Sequence, residues 1–117
     1  MREIKFRAWD KKNNKMITRV DEYDEIFLPI IYGEEENYNA MQFVGLKDKN
    51  GREIYEGDIV SLDSWNPSNM QICFIEGAFC LANEDGEYVG DIHYIHHAGI
   101  EQSEVIGNIY QNPELLK

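Results

Sequence analysis

MQFVGLKDKNGREIYEGDIV, residues 41–60, places short apolar runs on both sides of Asn50-Gly51. A type I′ turn needs positive φ at both central residues, and Asn-Gly supplies it most readily. The stretch therefore predicts a strand, a two-residue turn at Asn50-Gly51 and a return strand over REIYE. Gly57-Asp58 predicts a further turn before the apolar strand IVSL. We expect a small β domain to begin at Met41.

The next pair of apolar runs, MQICFI and AFCLA, is joined by Glu76-Gly77. If these two residues form the loop, Phe74 faces Phe79 and Cys73 faces Cys80 across the hairpin. Period-two alternation then predicts one core face, which consists of Ile72, Phe74, Phe79 and Leu81. The cysteines lie on the opposite face, and without a C-x-x-C spacing or a secretory context we expect two free thiols.

The remaining C-terminal segments complete a β-rich pattern. Asp85-Gly86 predicts another two-residue hairpin, and SEVIGNIYQ predicts a final strand. Asn112 before Pro113 predicts a short helical turn over NPELLK. About five short strands separated by glycine-based turns indicate a small barrel or sandwich.

The N-terminal segment predicts a separate β-hairpin arm. Residues 3–9 alternate between two faces, DKKNN supplies turn residues, and KMITRV predicts the second strand. Residues 21–40 are acidic at both ends, in DEYDE and GEEENYNA, and apolar between them. Pro29 disfavours a helix interior or a central strand, so we expect an edge strand within a long acidic loop. We therefore divide the chain into an arm with an acidic connecting segment, residues 1–40, and a barrel domain, residues 41–117.

Charge is distributed unevenly along the chain. The net charge is −11, yet residues 1–20 carry seven bases and two acids, which leaves −16 for the other 97 residues. A strongly acidic body repels phosphate backbones, so we do not expect general nucleic-acid binding. The basic arm is expected to dock on the acidic body or on a neighbouring subunit; a nucleic-acid contact through the arm is the alternative.

Several function classes lack their signatures. The longest apolar run, Ile26–Tyr32, is seven residues and contains Pro29, so we expect no membrane span. The N-terminus does not resemble a signal peptide, which makes the cytoplasm the expected location. No nucleophile-elbow serine and no phosphate-binding glycine loop is present in the sequence. The carboxylates of GREIYEGDIV flank a turn glycine, where an Asp typically binds turn amides, so we expect no enzyme.

Three histidines form the one cluster that suggests a metal. On a strand His93 and His97 share a face while His96 points away, and zinc needs three or four ligands. His93 and His97 are therefore weak candidates for metal ligands, and surface histidines are the simpler interpretation. We expect no cofactor and no metal.

Three segments together resemble the YopX protein family of bacteriophages and prophages: IKFRAWDKKNNKM, MQFVGLKDKNGREIYEGDIV and VIGNIYQNPELL. The resemblance covers both ends and the middle of the chain in order. It implies a phage or prophage origin in a bacterial host and an SH3-like barrel in the C-terminal two-thirds. It implies no activity and no catalytic residues.

The leading hypothesis is a phage-encoded protein–protein interaction module that self-associates, as a homo-oligomer, or binds a host factor. An acidic DNA mimic and nucleic-acid binding through the basic hairpin are the alternatives. Aromatic residues on small barrels often contribute to binding grooves, and Trp65 beside Asn66-Pro67 is the best exposed candidate. The candidate interaction residues are Lys5, Arg7, Trp9, Lys11, Lys12 and Trp65.

Overall fold

The computed structural model describes residues 3–18, 20, 37–62, 69–92 and 100–116. Strand makes up 55% of these residues, and helix is limited to two short 3-10 turns at Ile100–Gln102 and Pro113–Leu116. The strands are β1 Phe6–Asp10, β2 Lys15–Ile17, β3 Tyr38–Lys47, β4 Glu53–Tyr55, β5 Asp58–Ser61, β6 Asn69–Ile75, β7 Ala78–Ala82, β8 Tyr88–Asp91 and β9 Glu104–Asn108.

The chain divides into two compact units, Met1–Phe43 and Val44–Lys117. In the first unit β1 pairs antiparallel with β2 and with the first part of β3, as the predicted hairpin arm requires. Ala8 and Val20 form its small buried cluster. β3 begins at Tyr38 and runs unbroken to Lys47, so the boundary expected after residue 40 falls inside a continuous strand.

The second unit contains a five-stranded antiparallel sheet in the order β8-β7-β6-β5-β9. Its apolar core is built from alternate residues of these strands and adjoining segments: Ile54, Val60, Leu62, Met70, Ile72, Leu81, Ile92, Ile100 and Val105. The curled strands form a half-barrel. The predicted fold class, mainly β with a small barrel, is confirmed.

The β6–β7 hairpin has the predicted register. Ile75 pairs with Ala78, Phe74 with Phe79, and Cys73 with Cys80. Glu76 and Gly77 have φ of +50° and +83°, the two positive values that a type I′ turn requires. The predicted two-residue loop is therefore confirmed.

The predicted core face of this hairpin is confirmed at Ile72, Leu81 and Phe79, which packs against the core, and is wrong at Phe74. Ile72 and Leu81 are fully buried, but Phe74 is 53% exposed and Phe79 is half-buried. The two phenylalanine rings meet edge to face with centroids 5.1 Å apart. Alternation sets the face of a residue but does not extend the core to the end of the sheet. Phe74 thus belongs to the surface of the hairpin.

The two-residue loops predicted at Asn50-Gly51 and Asp85-Gly86 are wrong, because each loop has three residues. Asp48 N donates to Arg52 O in the first loop, and Asn83 N donates to Glu87 O in the second. Each loop residue set is fully described, and only its glycine has positive φ. Each loop is therefore a type I turn followed by a glycine in the left-handed region. Asn50 does not adopt the positive φ that a type I′ turn would require.

A side-chain oxygen at the start of each loop accounts for this geometry. Asp48 Oδ1 accepts from the amides of Asn50 and Arg52, both at 2.9 Å. Asn83 Oδ1 makes the equivalent bonds in the second loop, where it accepts from the amides of Asp85 at 2.9 Å and Glu87 at 3.0 Å. In both loops the donors are the amides two and four residues after the accepting side chain. Such Asx bonds stabilise a type I turn and so override the two-residue preference of Asn-Gly and Asp-Gly.

Candidate functional site

The loop between β1 and β2 carries three exposed lysines. Asp10 begins the loop, and its carboxylate accepts from Lys12 N at 3.1 Å and from Asn13 N at 3.2 Å and Asn13 Nδ2 at 2.9 Å. These bonds, the Asn13 side chain first, lower the pKa of Asp10. Lys11, Lys12 and Lys15 are exposed. We call residues 11–15 the lysine loop.

The other predicted arm residues are largely engaged within the arm. Lys5 Nζ lies 5.0 Å from the centroid of the Phe43 ring and 3.2 Å from Glu3 Oε1. Arg7 is buried, with 8% of its surface exposed, and Trp9 is half-buried. Arg7 therefore offers little surface to a partner, whereas Lys11 and Lys12 offer most of theirs.

The remaining predicted site residues lie outside the described residues. These are Trp65 and the cluster His93, His96 and His97. In the part of the chain that the structure describes, no three His, Cys, Asp or Glu side chains come together to hold a metal ion. The same described part contains no helix long and apolar enough to cross a membrane.

The buried carboxylates of the central motif hold turns in place. Asp58 is 1% exposed, and its Oδ2 accepts from Tyr55 N at 2.8 Å across the turn between β4 and β5. Besides its loop bonds, Asp48 accepts from Val105 N at 2.9 Å, 57 residues away. Burial raises the pKa of Asp48, but the amides of Val105, Arg52 and Asn50 lower it more, so that it lies below its ordinary value.

The C-terminal motif is structural in the same way. Asn108 Oδ1 accepts from the amides of Tyr110 at 3.1 Å and Gln111 at 2.9 Å, so the chain turns directly after β9. The Asn112 side chain then lies against Gly107, where an added Cβ would be 2.6 Å from Asn112 Oδ1. Only glycine leaves room for this approach. The Asn108 and Asn112 side chains of this motif therefore shape the chain after β9.

The second unit contains a long stretch in which every Asp, Glu, Lys or Arg position is acidic. The acidic body was expected from the sequence, but this stretch was missed. Residues 53–116 contain twelve acids and not one Lys or Arg. Exposed members of this set are Glu76, Glu84, Asp85, Glu87 and Glu114. The gap in basic residues is visible in the sequence, and a count by segment beyond residue 20 would have found it. We call the five-stranded sheet with its loops the acidic sheet.

Burial and nearby acids raise the pKa of the two cysteines in the β6–β7 hairpin. Burial first, then Cys80 and Glu56, raises the pKa of the Cys73 thiol to about 11. Burial and Asp91 raise the pKa of Cys80, with a backbone contact at Ile75 opposing them. Both cysteines are free. Their environment favours the neutral thiol, which argues against thiolate chemistry here.

The chain matches a known protein family over a range that includes these motifs. The model of the family described as YopX protein matches residues 5–117. The chain belongs to the YopX family. Its predicted resemblance is thereby confirmed, and both structural motifs described above lie within the matched range.

Two similar proteins illustrate the likeness. The chain is 32% identical over 101 residues to the SPbeta prophage-derived uncharacterized protein YopX of Bacillus subtilis (strain 168), in an alignment that covers 81% of this chain and 71% of that protein. It is also similar to the crystal structure of protein EF1440 from Enterococcus faecalis, with a TM-score of 0.64, 29% identity and complete coverage of both chains.

Proposed function

We propose that this YopX family protein is a prophage-encoded, non-catalytic protein–protein interaction module of the bacterial cytoplasm that self-associates or binds a host factor. The observation that carries the proposal is the division of exposed charge. The lysine loop presents Lys11, Lys12 and Lys15, while the acidic sheet presents carboxylates with no basic residue between 53 and 116. Separated charge of opposite sign favours steered association with proteins.

The use of the motif side chains also supports this proposal. Asp48, Asp58 and Asn108 are buried and accept hydrogen bonds from backbone amides. A general acid, a general base or a metal ligand needs a group that is available to substrate or ion. These three polar groups instead stabilise turns, so among the described residues the exposed charged surfaces are the better candidates for binding.

Two experiments test the proposal. The tagged protein is used to capture partners from a bacterial host lysate, and mass spectrometry identifies them. Light scattering of the purified protein measures its mass in solution. We expect either a mass above that of the 13.7 kDa chain or one protein captured in stoichiometric amount. A captured protein should be lost with Lys11→Glu/Lys12→Glu. A monomer that captures nothing reproducibly, or turnover of a substrate at a defined site, would refute the proposal.

A second candidate, an acidic DNA mimic, is favoured by the absence of Lys and Arg from residues 53–116. Carboxylates spaced like phosphates would occupy a nucleic-acid-binding protein. Its test is competition: double-stranded DNA should displace the captured partner. Direct nucleic-acid binding through the lysine loop is tested separately by a gel shift at low salt, where the acidic sheet is expected to prevent binding.

A further inference from the structure

The lysine loop is fixed before it meets any partner. The Asp10 carboxylate accepts hydrogen bonds from the amides of Lys12 and Asn13. Asn14 adopts φ of +51° immediately before β2 begins. Lys11 N also donates to Asn37 O at 3.0 Å. The backbone of the loop therefore loses little freedom on binding, and a preordered loop gives up less free energy than a flexible one.

The tip of the β6–β7 hairpin is suited to a lysine-bearing partner. Glu76 is exposed at the turn, and the neighbouring Phe74 is 53% exposed. A phenylalanine face beside a carboxylate can contact both the stem and the charged end of a lysine. Glu56 and Asp91 act electrostatically on the cysteines of the same hairpin. Glu56 and Asp91 thus add negative charge near this hairpin to that of Glu76.

We propose that the lysine loop of one copy binds the β6–β7 hairpin tip, at Glu76 and Phe74, of a second copy of this chain. The inference rests on the self-association half of the proposed function and names the two surfaces. The two surfaces are complementary in charge. One chain contains both a rigid basic loop and an exposed aromatic side chain in a sheet that has acidic residues but no Lys or Arg. Complementary potentials set partner choice and orientation.

A second copy fits better than a phosphate backbone. A phosphate backbone is negative along its whole length and carries no basic surface, so the net charge of −11 on this chain opposes its approach. A second copy also has net negative charge, but it can place its acidic hairpin tip on the basic loop of the first copy, so that the contacting surfaces are opposite in sign. The contact is expected to weaken steeply with salt, because its charges are exposed.

Sedimentation velocity of the full chain tests the contact. In about 0.1 M NaCl, at protein concentrations up to about 0.5 mM, we expect a mass above 13.7 kDa that rises with concentration. In about 1 M NaCl, where the Debye length falls to about 3 Å, the monomer should dominate. Lys11→Glu/Lys12→Glu and Glu76→Lys should each weaken association about tenfold.

Matched variants separate local contacts from net charge. Lys47→Glu/Lys49→Glu and Glu114→Lys make the same charge changes at other exposed positions and should leave association within about threefold of the wild type. The combination of Lys11→Glu/Lys12→Glu with Glu76→Lys should restore most of the loss, since the signs again oppose. Phe74→Ser should weaken association without any change of charge.

Each alternative result has a defined meaning. A wild-type monomer at every salt and concentration overturns the inference, while the proposed function survives if a host factor is captured. Association that ignores both the salt and the reversals overturns the inference but keeps self-association through another surface. Circular dichroism melting of every variant excludes unfolding as the cause of a loss.

Discussion

The long-range bond of Asp48 leads to a sharp prediction about stability. Asp48→Asn keeps an acceptor oxygen for the amides of Asn50 and Arg52, but its NH₂ group then faces the buried amide of Val105. A hydrogen bond to a charged group contributes about 1.5–3 kcal/mol, and a buried donor left unpaired costs about 1–3 kcal/mol. We expect the free energy of unfolding to fall by about 2–3 kcal/mol.

Asn83→Asp is the matched control for this substitution. Asn83 makes the same two loop bonds as Asp48, but in an exposed loop. Its exchange should change the free energy of unfolding by less than about 0.5 kcal/mol. Urea titration measures both variants; with a slope of about 1.5 kcal/mol per molar, the Asp48→Asn midpoint should fall by about 1.5 M. A midpoint within about 0.3 M of the wild type, with an unchanged slope, would refute the reasoning.

The pH dependence of the same variant is a second readout. The folded pKa of Asp48 lies below the ordinary value of 3.8. Its contribution to folding is therefore fully present above pH 3.8 and is lost as the pH falls through the folded pKa. Since the asparagine side chain of the variant does not titrate, the difference between the wild type and the variant should be complete at about pH 7 and shrink below pH 3.8. A constant difference down to about pH 2 would contradict the assignment of the charged carboxylate.

Other positions carry shorter predictions. Gly107→Ala should lower the free energy of unfolding by about 1–3 kcal/mol, because the new Cβ meets Asn112; in urea titration the pair with Asn112→Ala should cost less than the two single changes together, and full additivity would refute the contact. Glu76→Asn should raise the melting temperature by about 2–4 °C, since Glu76 has φ of +50° and Asn tolerates that region better, whereas Glu76→Ala should not. Cys73, in a Cys80→Ser background, should react with iodoacetamide at about pH 8 at least about tenfold more slowly than a free thiol, because burial, the largest cause of its raised pKa, remains when Cys80 is replaced, and the difference should vanish in urea. Equal rates in the folded and unfolded protein would refute the pKa.

The strand pattern was predictable where local signals were complete. Glu76-Gly77 lies between two strong apolar runs, so the loop and the pairing of Cys73 with Cys80 followed from counting. Asn50-Gly51 misled because the dipeptide was considered without Asp48. An Asp or Asn three residues before the glycine, as at Asp48 and Asn83, favours the three-residue loop through its side-chain oxygen. That signal lies in the sequence and is local.

The extent of the core could not be predicted from alternation. Phe74 has the right parity for the core, yet it lies beyond the end of the packed layer. The bond from Val105 N to Asp48 joins residues 57 positions apart, and no local pattern indicates such a partner. For the candidate site, the sequence identified Lys11 and Lys12 by charge, whereas the burial of Arg7 depends on tertiary packing.

The acid-only composition of the sheet has a practical consequence for proteolysis. Trypsin cleaves after lysine and arginine, so it has no cleavage site within residues 53–116, whether or not the sheet is folded. Limited trypsin digestion therefore reports only on the arm and on the chain up to the start of β4. Amine-directed cross-linkers have the same restriction. For any assembly of this protein, no lysine cross-link can end within residues 53–116, so the sheet is mapped by carboxylate or thiol chemistry or by proteases that cleave at other residues.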